Sequence, residues 1–385
     1  MKKKLKIAMF FSSNPERPDG LLHHIFYLAQ ELIKLGHSVY IFGPNRKSAL
    51  PFKNYKKIID LVQVPFFKEA TIFITVKSKK FNDPVKTIEG QEKFDIIHIH
   101  DPYLPLIAWE IIKKAKVPIV TTFHTAWDEN SGFNIINGFI PLFQNYFSRV
   151  SGSIFVSKIG KKIWGSLLPV KVKKVVINNG VHSNLFYPSE NKNKIITLLF
   201  VARIVPRKGL MILLKTLKNL VKDVSNIKLI VLGDGPHLIT CKKYAKDNKL
   251  ENFVEFKGYI TGKDKIKYYQ GSDIFCAPYR NENFAITLLE AMSCGIPIVG
   301  FDSNGIKEIL TGYPDDDLIV PYKNTQLLGK AIKSLALDSS KRKRIKNWLL
   351  KKERSILGKK LLKKQKIFII KIYEKHTKFC HHCPY

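Results

Sequence analysis

Short apolar, β-branched runs alternate with helix-periodic segments along nearly all of this 385-residue chain, and that alternation limits the fold more than any other feature. The first series of strand candidates is Leu5 to Phe11, Val39 to Phe42, Asp95 to His100, Ile119 to Phe123, Ser153 to Val156 and Lys174 to Ile177. A second series runs Ile195 to Val201, Lys228 to Leu232, Phe253 to Phe256, Ile274 to Ala277, Ile296 to Phe301 and Leu318 to Val320. Between the first two strands, Leu21, Ile25, Leu28, Leu32 and Leu35 recur at helical spacing, and Gly36 stands where a left-handed cap would end the helix. The polar, breaker-rich stretch Phe186 to Lys194 separates the two series, as an interdomain linker would. Length agrees with two domains, because single cores stop growing beyond roughly 250 to 300 residues. The sequence predicts an α/β chain with two parallel sheets.

Charge is the next constraint. Lys and Arg number 65 against 31 Asp and Glu, a formal +34. Nucleic acid, an anionic membrane and phosphorylated ligands are the partner classes such a charge suits. Only nine of the cations are Arg, and the chain is also rich in Ile, Asn and Phe, so an AT-rich coding bias accounts for part of the excess. Residues 341 to 385 hold 16 Lys and Arg against Glu353 and Glu374, leaving +14 in a helical tail. Five scattered cysteines (Cys241, Cys276, Cys294, Cys380, Cys383) do not make a disulfide framework and fit a reducing, cytoplasmic setting. Lys2 to Lys4 followed by Leu5 to Phe11 imitates a secretion signal, but Ser12 to Arg17 cuts the apolar run short. No uninterrupted apolar run reaches the roughly 18 to 20 residues of a membrane span, so membrane contact is expected to be peripheral.

In parallel sheets, ligands bind at the loops that follow the strands. Three such loops carry chemistry. After the first strand, Asp19 and Gly20 open a helix whose backbone amides suit an anion, although taken alone the pair reads better as an Asp cap with a turn glycine. No G-x-G-x-x-G follows this strand, which disfavours a dinucleotide oxidoreductase. After Thr197 to Val201, Arg203 and Lys208 flank a turn five residues apart and can converge on one diphosphate. The third loop follows Ile274 to Pro278. There Glu282 precedes, and Glu290 lies inside, a helix read as beginning near Glu282 and closed by Gly295 and Pro297, with the amides of Phe284, Ala285 and Ile286 near its start. Two hydroxyl-binding carboxylates around phosphate-binding amides suit a nucleotide sugar.

Taken together these stretches resemble a family 4 glycosyltransferase of the GT-B fold, with Glu282 and Glu290 as its Glu-seven-residues-Glu motif. The likeness runs from the first strand to about Pro321. It includes Asp19-Gly20-Leu21, Gly36-His37-Ser38-Val39, Ile97 to Pro102, Thr121 to Thr125, Asn178 to Val181, Ala202-Arg203, Arg207-Lys208-Gly209 and Leu232 to Pro236. The resemblance implies two Rossmann-like domains facing a central cleft. An acceptor-binding domain would cover 1–185 and a nucleotide-sugar-binding domain 186–365, with a final helix and tail over 366–385 returning to the first. It implies that Gly20 gives its amide to the donor diphosphate, that Arg203 and Lys208 neutralise it, and that Glu282 holds the donor sugar hydroxyls. Glu290 would bind the ribose, and His124 would lie in the acceptor-side floor. Asp19 departs from the usual glycine and Ala202 from another. The family is retaining, and no paired acid and nucleophile of a retaining glycosidase is visible. Electrostatic stabilisation of the leaving nucleoside diphosphate by Arg203 and Lys208 is the implied catalysis, with no metal or other cofactor required.

Within the family, Ser48-Ala49-Leu50-Pro51, Val64-Pro65, Thr121 to Thr125 and Phe275 to Pro278 are most similar to the phosphatidylinositol mannosyltransferases. That likeness implies GDP-mannose as donor and an inositol phospholipid at the inner membrane face as acceptor, with a UDP-sugar and another glycolipid or polysaccharide as the alternative. Lys77, Lys79 and Lys80, after the apolar Thr71 to Val76, are the expected membrane contact. Leu22 replaces a polar residue that helps hold the inositol. Nucleic acid is disfavoured, since no recognised motif appears and Arg is scarce. A non-catalytic sugar-nucleotide sensor is disfavoured too, because the expected donor-site side chains are present. His376 with Cys380-His381-His382-Cys383 is read as incidental composition.

Overall fold

The computed structural model describes residues 3–13, 20–44, 54–66, 70–76, 88, 93–102, 107–125, 140–180, 185–189, 195–356 and 359–380. The chain divides into two compact units, Met1–Asn179 with Leu361–Tyr385, and Gly180–Lys360.

The first unit holds strands β1 (Lys6–Phe10), β2 (Ser38–Pro44), β3 (Tyr55–Phe66), β4 (Ala70–Val76), β5 (Ile96–His100), β6 (Ile119–Phe123), β7 (Val150–Phe155) and β8 (Lys173–Val176). Their order across the sheet is β4-β3-β2-β1-β5-β6-β7-β8. Every neighbouring pair is parallel except β3 with β4. The central strands β5 and β6 are buried at every position, which is why they read as unbroken apolar runs rather than alternating ones. Helix α1 (Gly20–Lys34) buries Leu22, His24, Ile25, Leu28, Ala29 and Leu32. It ends one residue before Leu35, which is 53% exposed and not part of the buried face that its spacing predicts. Gly36, at φ +86°, donates its amide to Ile33 and supplies the left-handed cap. Helices α2 (Ile107–Lys114), α3 (Ile140–Tyr146) and α4 (Lys158–Gly165) complete the crossovers among the described residues.

The β3–β4 ribbon lies outside the sequence prediction. The apolar Thr71 to Val76 run is strand β4, in antiparallel register with β3 (Val62 opposite Ile74). Lys56, Lys57, Asp60, Gln63 and Pro65 interrupt the β3 pattern and obscure it in the sequence. Asp19, Lys77, Lys79 and Lys80 lie outside the described residues.

The second unit is built from β9 (Ile196–Val201), β10 (Ile227–Leu232), β11 (Val254–Gly258), β12 (Ile274–Ala277), β13 (Ile298–Phe301) and β14 (Ile319–Val320), in the order β11-β10-β9-β12-β13-β14. All its pairs are parallel. This is the doubly wound order with its switch point between β9 and β12, where ligand crevices form. Its helices are α5 (Leu210–Leu220), α6 (Leu238–Asp247), α7 (Gly262–Gln270), α8 (Ile286–Ser293), α9 (Asn304–Ile309), α10 (Thr325–Leu337) and α11 (Ser339–Ile356). Helix α8 starts at Ile286, so Glu282 stands in the loop before it and Glu290 lies inside it, as the sequence predicts.

The last helix, α12 (Lys359–Cys380), packs on the first unit. Phe368, Ile369, Ile372 and Tyr373 are buried. Phe368 and Ile372 press so closely on Gly152 of β7 that a Cβ there would meet each at 2.9 Å. Gln365 donates to the Ile177 carbonyl at 3.4 Å, and Lys366 pairs with Glu31 of α1 at 3.1 Å. The basic tail is thus not one surface. Lys341 and Arg344 of α11 pair with Asp315 at 3.7 and 2.9 Å, and Lys341 reaches Asp317 at 3.1 Å.

Candidate active site

In the second unit the loops after β9 and β12 meet at the switch point. Gly209, at φ +73°, ends the turn carrying Arg203 and Lys208, and a Cβ there would lie 2.0 Å from the Pro278 carbonyl oxygen. Only glycine allows that approach. Arg280 then donates its amide to the Arg207 carbonyl at 2.8 Å. On the far side Gly305 donates its amide to the Glu282 carbonyl at 3.0 Å, and a Cβ on Gly305 would stand 2.1 Å from that oxygen. The backbone around Glu282 is therefore clamped.

This clamping brings Lys208 and Glu282 into an ion pair, with side chains 13% and 14% exposed. Burial alone would raise the Glu282 carboxyl, but the charges of Lys208 and Arg207 hold it below its usual range. Burial lowers the Lys208 ammonium, against the pull of Glu282. The ammonium also stands 4.4 Å from the centre of the Tyr279 ring, whose hydroxyl donates to the Val201 carbonyl at 2.9 Å. Arg203 is exposed on the same loop. Phe284, Ala285 and Ile286 are buried, with Ala285 at the N-cap of α8 and no side chain capping it.

Glu290, one turn into α8, is 4% exposed and has both carboxylate oxygens engaged. Lys265 of α7 donates to one at 2.6 Å and the Tyr269 hydroxyl to the other at 2.6 Å. Burial and the Glu290 charge push the Tyr269 phenol well above its usual value, so it stays protonated and donates. Sequence reasoning missed Lys265, Tyr269 and Tyr279. Lys265 and Tyr269 sit 25 and 21 positions before Glu290, a separation that only the sheet crossover closes.

In the first unit, Gly20 is the exposed first residue of α1 and Leu22 is fully buried. His124 follows β6. Asp101, held at φ +51°, accepts the His124 amide at 2.6 Å, the Thr125 amide at 3.3 Å and the Thr125 hydroxyl at 3.2 Å. Trp164 fixes the same turn by donating to the Thr125 carbonyl at 2.6 Å. His124 does not stand alone. Its Nε2 lies 3.1 Å from Nδ1 of His100, its ring centre is 4.7 Å from that of His24, and His98 packs on His100 with ring centres 4.1 Å apart. Burial, reinforced by neighbouring imidazoles, lowers His98 to about 3 and His100 and His124 well below the ordinary imidazole value. Burial alone lowers His24 to about 4. All four are neutral at physiological pH. The His98-Ile99-His100 spacing is visible in the sequence, whereas His24 reads there only as one polar residue on an amphipathic helix.

Two family models match adjoining halves of the chain. The one described as Glycosyltransferase Family 4 covers residues 18–185, and the one described as Glycosyl transferases group 1 covers 184–348. The chain belongs to the family 4 glycosyltransferases. It is an enzyme of the transferase class, and its two α/β units are those of the GT-B fold. A phosphatidyl-myo-inositol mannosyltransferase of Mycolicibacterium smegmatis is 27% identical over 353 residues, spanning 88% of this chain and 86% of the relative. An alpha-monoglucosyldiacylglycerol synthase of Streptococcus pneumoniae is 26% identical over 80% of this chain and 73% of its own. A phosphatidylinositol N-acetylglucosaminyltransferase subunit from Arabidopsis thaliana is 28% identical over 86% of this chain and 74% of its own. Among solved structures, a sucrose-phosphate synthase from Thermosynechococcus elongatus superposes with a TM-score of 0.76 at 14% identity over 99% of this chain and 100% of that one. The pneumococcal O-GlcNAc transferase GtfA, in complex with UDP and GlcNAc, gives 0.72 at 13% identity over 96% and 99%. Among the described residues, no helix of this glycosyltransferase is long and apolar enough to cross a membrane.

Proposed function

We propose that this glycosyltransferase moves mannose from GDP-mannose to a membrane lipid such as phosphatidylinositol, with retention, while bound peripherally at the cytoplasmic face. The observation that carries the donor half is the clamped Lys208–Glu282 pair at the β9/β12 switch point, with Arg203 on the same loop. A diphosphate brings two negative charges to Lys208 and competes with Glu282 for it. Glu282 is then released towards the sugar hydroxyls at the moment the phosphates are neutralised. As the glycosidic bond breaks, charge grows on the departing diphosphate. Arg203 and Lys208, already oriented, stabilise it there without reorganisation.

Ribose binding works by a similar exchange. Each Glu290 oxygen already accepts one bond, and a ribose hydroxyl competes with Lys265 for its oxygen while the buried Tyr269 keeps the carboxylate oriented. Gly20 contributes an amide to the diphosphate, and the amides of Phe284, Ala285 and Ile286 contribute others. His124, neutral at working pH, accepts or donates one hydrogen bond at the acceptor side and carries no charge. The transfer itself needs no metal or other cofactor.

The acceptor half is supported by the relatives. The names of these three contain a phosphatidylinositol or diacylglycerol unit, while the sugars they name differ. A glycerolipid acceptor is therefore the better supported part, and Lys77, Lys79 and Lys80 are its proposed membrane contact. A second reading, a UDP-hexose donor, is favoured by the glucosyl and N-acetylglucosaminyl transferases among the same relatives. Incubation with GDP-mannose, UDP-glucose or UDP-N-acetylglucosamine, with and without liposomes containing phosphatidylinositol or diacylglycerol, separates the readings. Lipid-dependent release of GDP supports the first and release of UDP the second. Absence of turnover with every donor and lipid would remove both.

A further inference from the structure

His24, His100 and His124 offer one ring nitrogen each within 4.8 Å of one another. They come from α1, the end of β5 and the turn after β6. This is the switch-point end of the first sheet, where the chain leaves β1 and β5 in opposite directions. His24 is fully buried, and among the described residues neither of its nitrogens has a hydrogen-bond partner. Nε2 of His100 has none either. A buried polar group without a partner is costly, and an imidazole with two unpartnered nitrogens, one of them within 4.8 Å of ring nitrogens on two other imidazoles, points to a ligand.

We propose that His24, His100 and His124 form a binding site for a divalent transition-metal ion of the zinc class, with water completing the coordination. Nitrogens bound to one tetrahedral zinc at about 2.05 Å are separated by about 3.3 Å. The facing nitrogens of His100 and His124 are already 3.1 Å apart, and one nitrogen from each of the three rings lies within 4.8 Å of the others. His98, held by the Thr122 hydroxyl at 2.7 Å, packs on His100 and restricts its ring. Asp101 is engaged by the amides behind His124, so it positions the turn and leaves the ligands all imidazole. Such a set suits Zn²⁺ or Co²⁺ and not Mg²⁺ or Ca²⁺, which demand oxygen. Metal bound here occupies His124, so it inhibits transfer reversibly. The binding itself does not depend on which donor or acceptor is used.

The test uses the full, untagged chain freed of metal by a chelator and titrated with Co²⁺, then Zn²⁺. One equivalent of Co²⁺ is expected to give the visible absorption of nitrogen-ligated tetrahedral cobalt, without a thiolate charge-transfer band, and Zn²⁺ to displace it. The melting temperature rises with metal concentration. His24→Gln and His24→Phe each weaken binding by at least the roughly 10- to 100-fold that loss of a supporting contact costs. Metal-free His24→Phe melts no lower than the metal-free parent, since it removes two unpartnered nitrogens. Should both variants fail to fold, His100→Gln carries the same comparison. Replacing Cys380 and Cys383 by Ser leaves binding unchanged. Absence of stoichiometric binding overturns the proposal. So does binding that is indifferent to His24, or lost with the two cysteines.

Discussion

The two units share a parallel sheet with a switch point but treat the polar groups there in opposite ways. In the second, Lys208, Glu282, Lys265 and Glu290 are already paired with one another before any ligand arrives. In the first, four imidazoles are packed together neutral, and His24 has neither nitrogen bonded among the described residues. The second arrangement is a set of buried charges that satisfy one another, so a charged ligand bound there would have to displace one of them. The first is an uncharged cluster with hydrogen-bonding capacity left over among the described residues. A donor diphosphate suits exchange, because it replaces one anion by another. A sugar hydroxyl or a metal ion suits completion.

Breaking the Lys208–Glu282 pair is the most severe test of that contrast. Lys208→Met is expected to lower turnover by about 10²- to 10³-fold. It also costs about 3 kcal/mol of stability, because Glu282 is left buried and charged. Combining it with Glu282→Gln should restore most of the stability and none of the turnover, read by denaturant melts beside the release assay. Gly209→Ala tests the clamp. With φ at +73° and the Pro278 oxygen 2.0 Å from the new Cβ, it should cost about 3 kcal/mol and drag the β12 loop away from Lys208. Smaller still, Tyr269→Phe removes one of the two bonds on Glu290 and should cost about 1.5 kcal/mol, with weaker nucleoside diphosphate binding by calorimetry. Lys366→Met, at the α12–α1 contact of the first unit, should cost only about 1 kcal/mol, because Glu31 keeps its pair with Lys34, and leave donor binding untouched. The smallest effect is none at all. Burial pushes the Cys241 thiol up to about 11 and those of Cys276 and Cys294 to about 12, so none should be alkylated in the native protein at pH 8, as peptide mapping would show.

Much of the second unit was legible because its central strands β9, β12 and β13 are buried on both faces and stand out as continuous apolar runs. Ile274 to Ala277 is located to the residue. Glu282 and Glu290 were legible as a spaced pair. That Lys208 is already bound to Glu282 was not, since their loops meet only through Gly209 and Gly305. The β3–β4 ribbon escaped because charged residues and Pro65 break its alternation, and its sheet partner is found only once β2 is placed. His24 escaped for a different reason. A histidine on a helix signals nothing until β5 and β6 bring His100 and His124 against it.

The second unit is an insertion within the first, entering after Asn179 and leaving at Lys360. During synthesis the order of completion is therefore inverted. Residues 180–360 can close on themselves as soon as they emerge. The unit begun first stays unfinished until α12 has been made, with Gly152 and Ile177 lacking the helix that covers them. A nascent chain stopped before Leu361 would hold a folded second unit and an open first sheet, and the last helix made is the one that closes the first sheet begun.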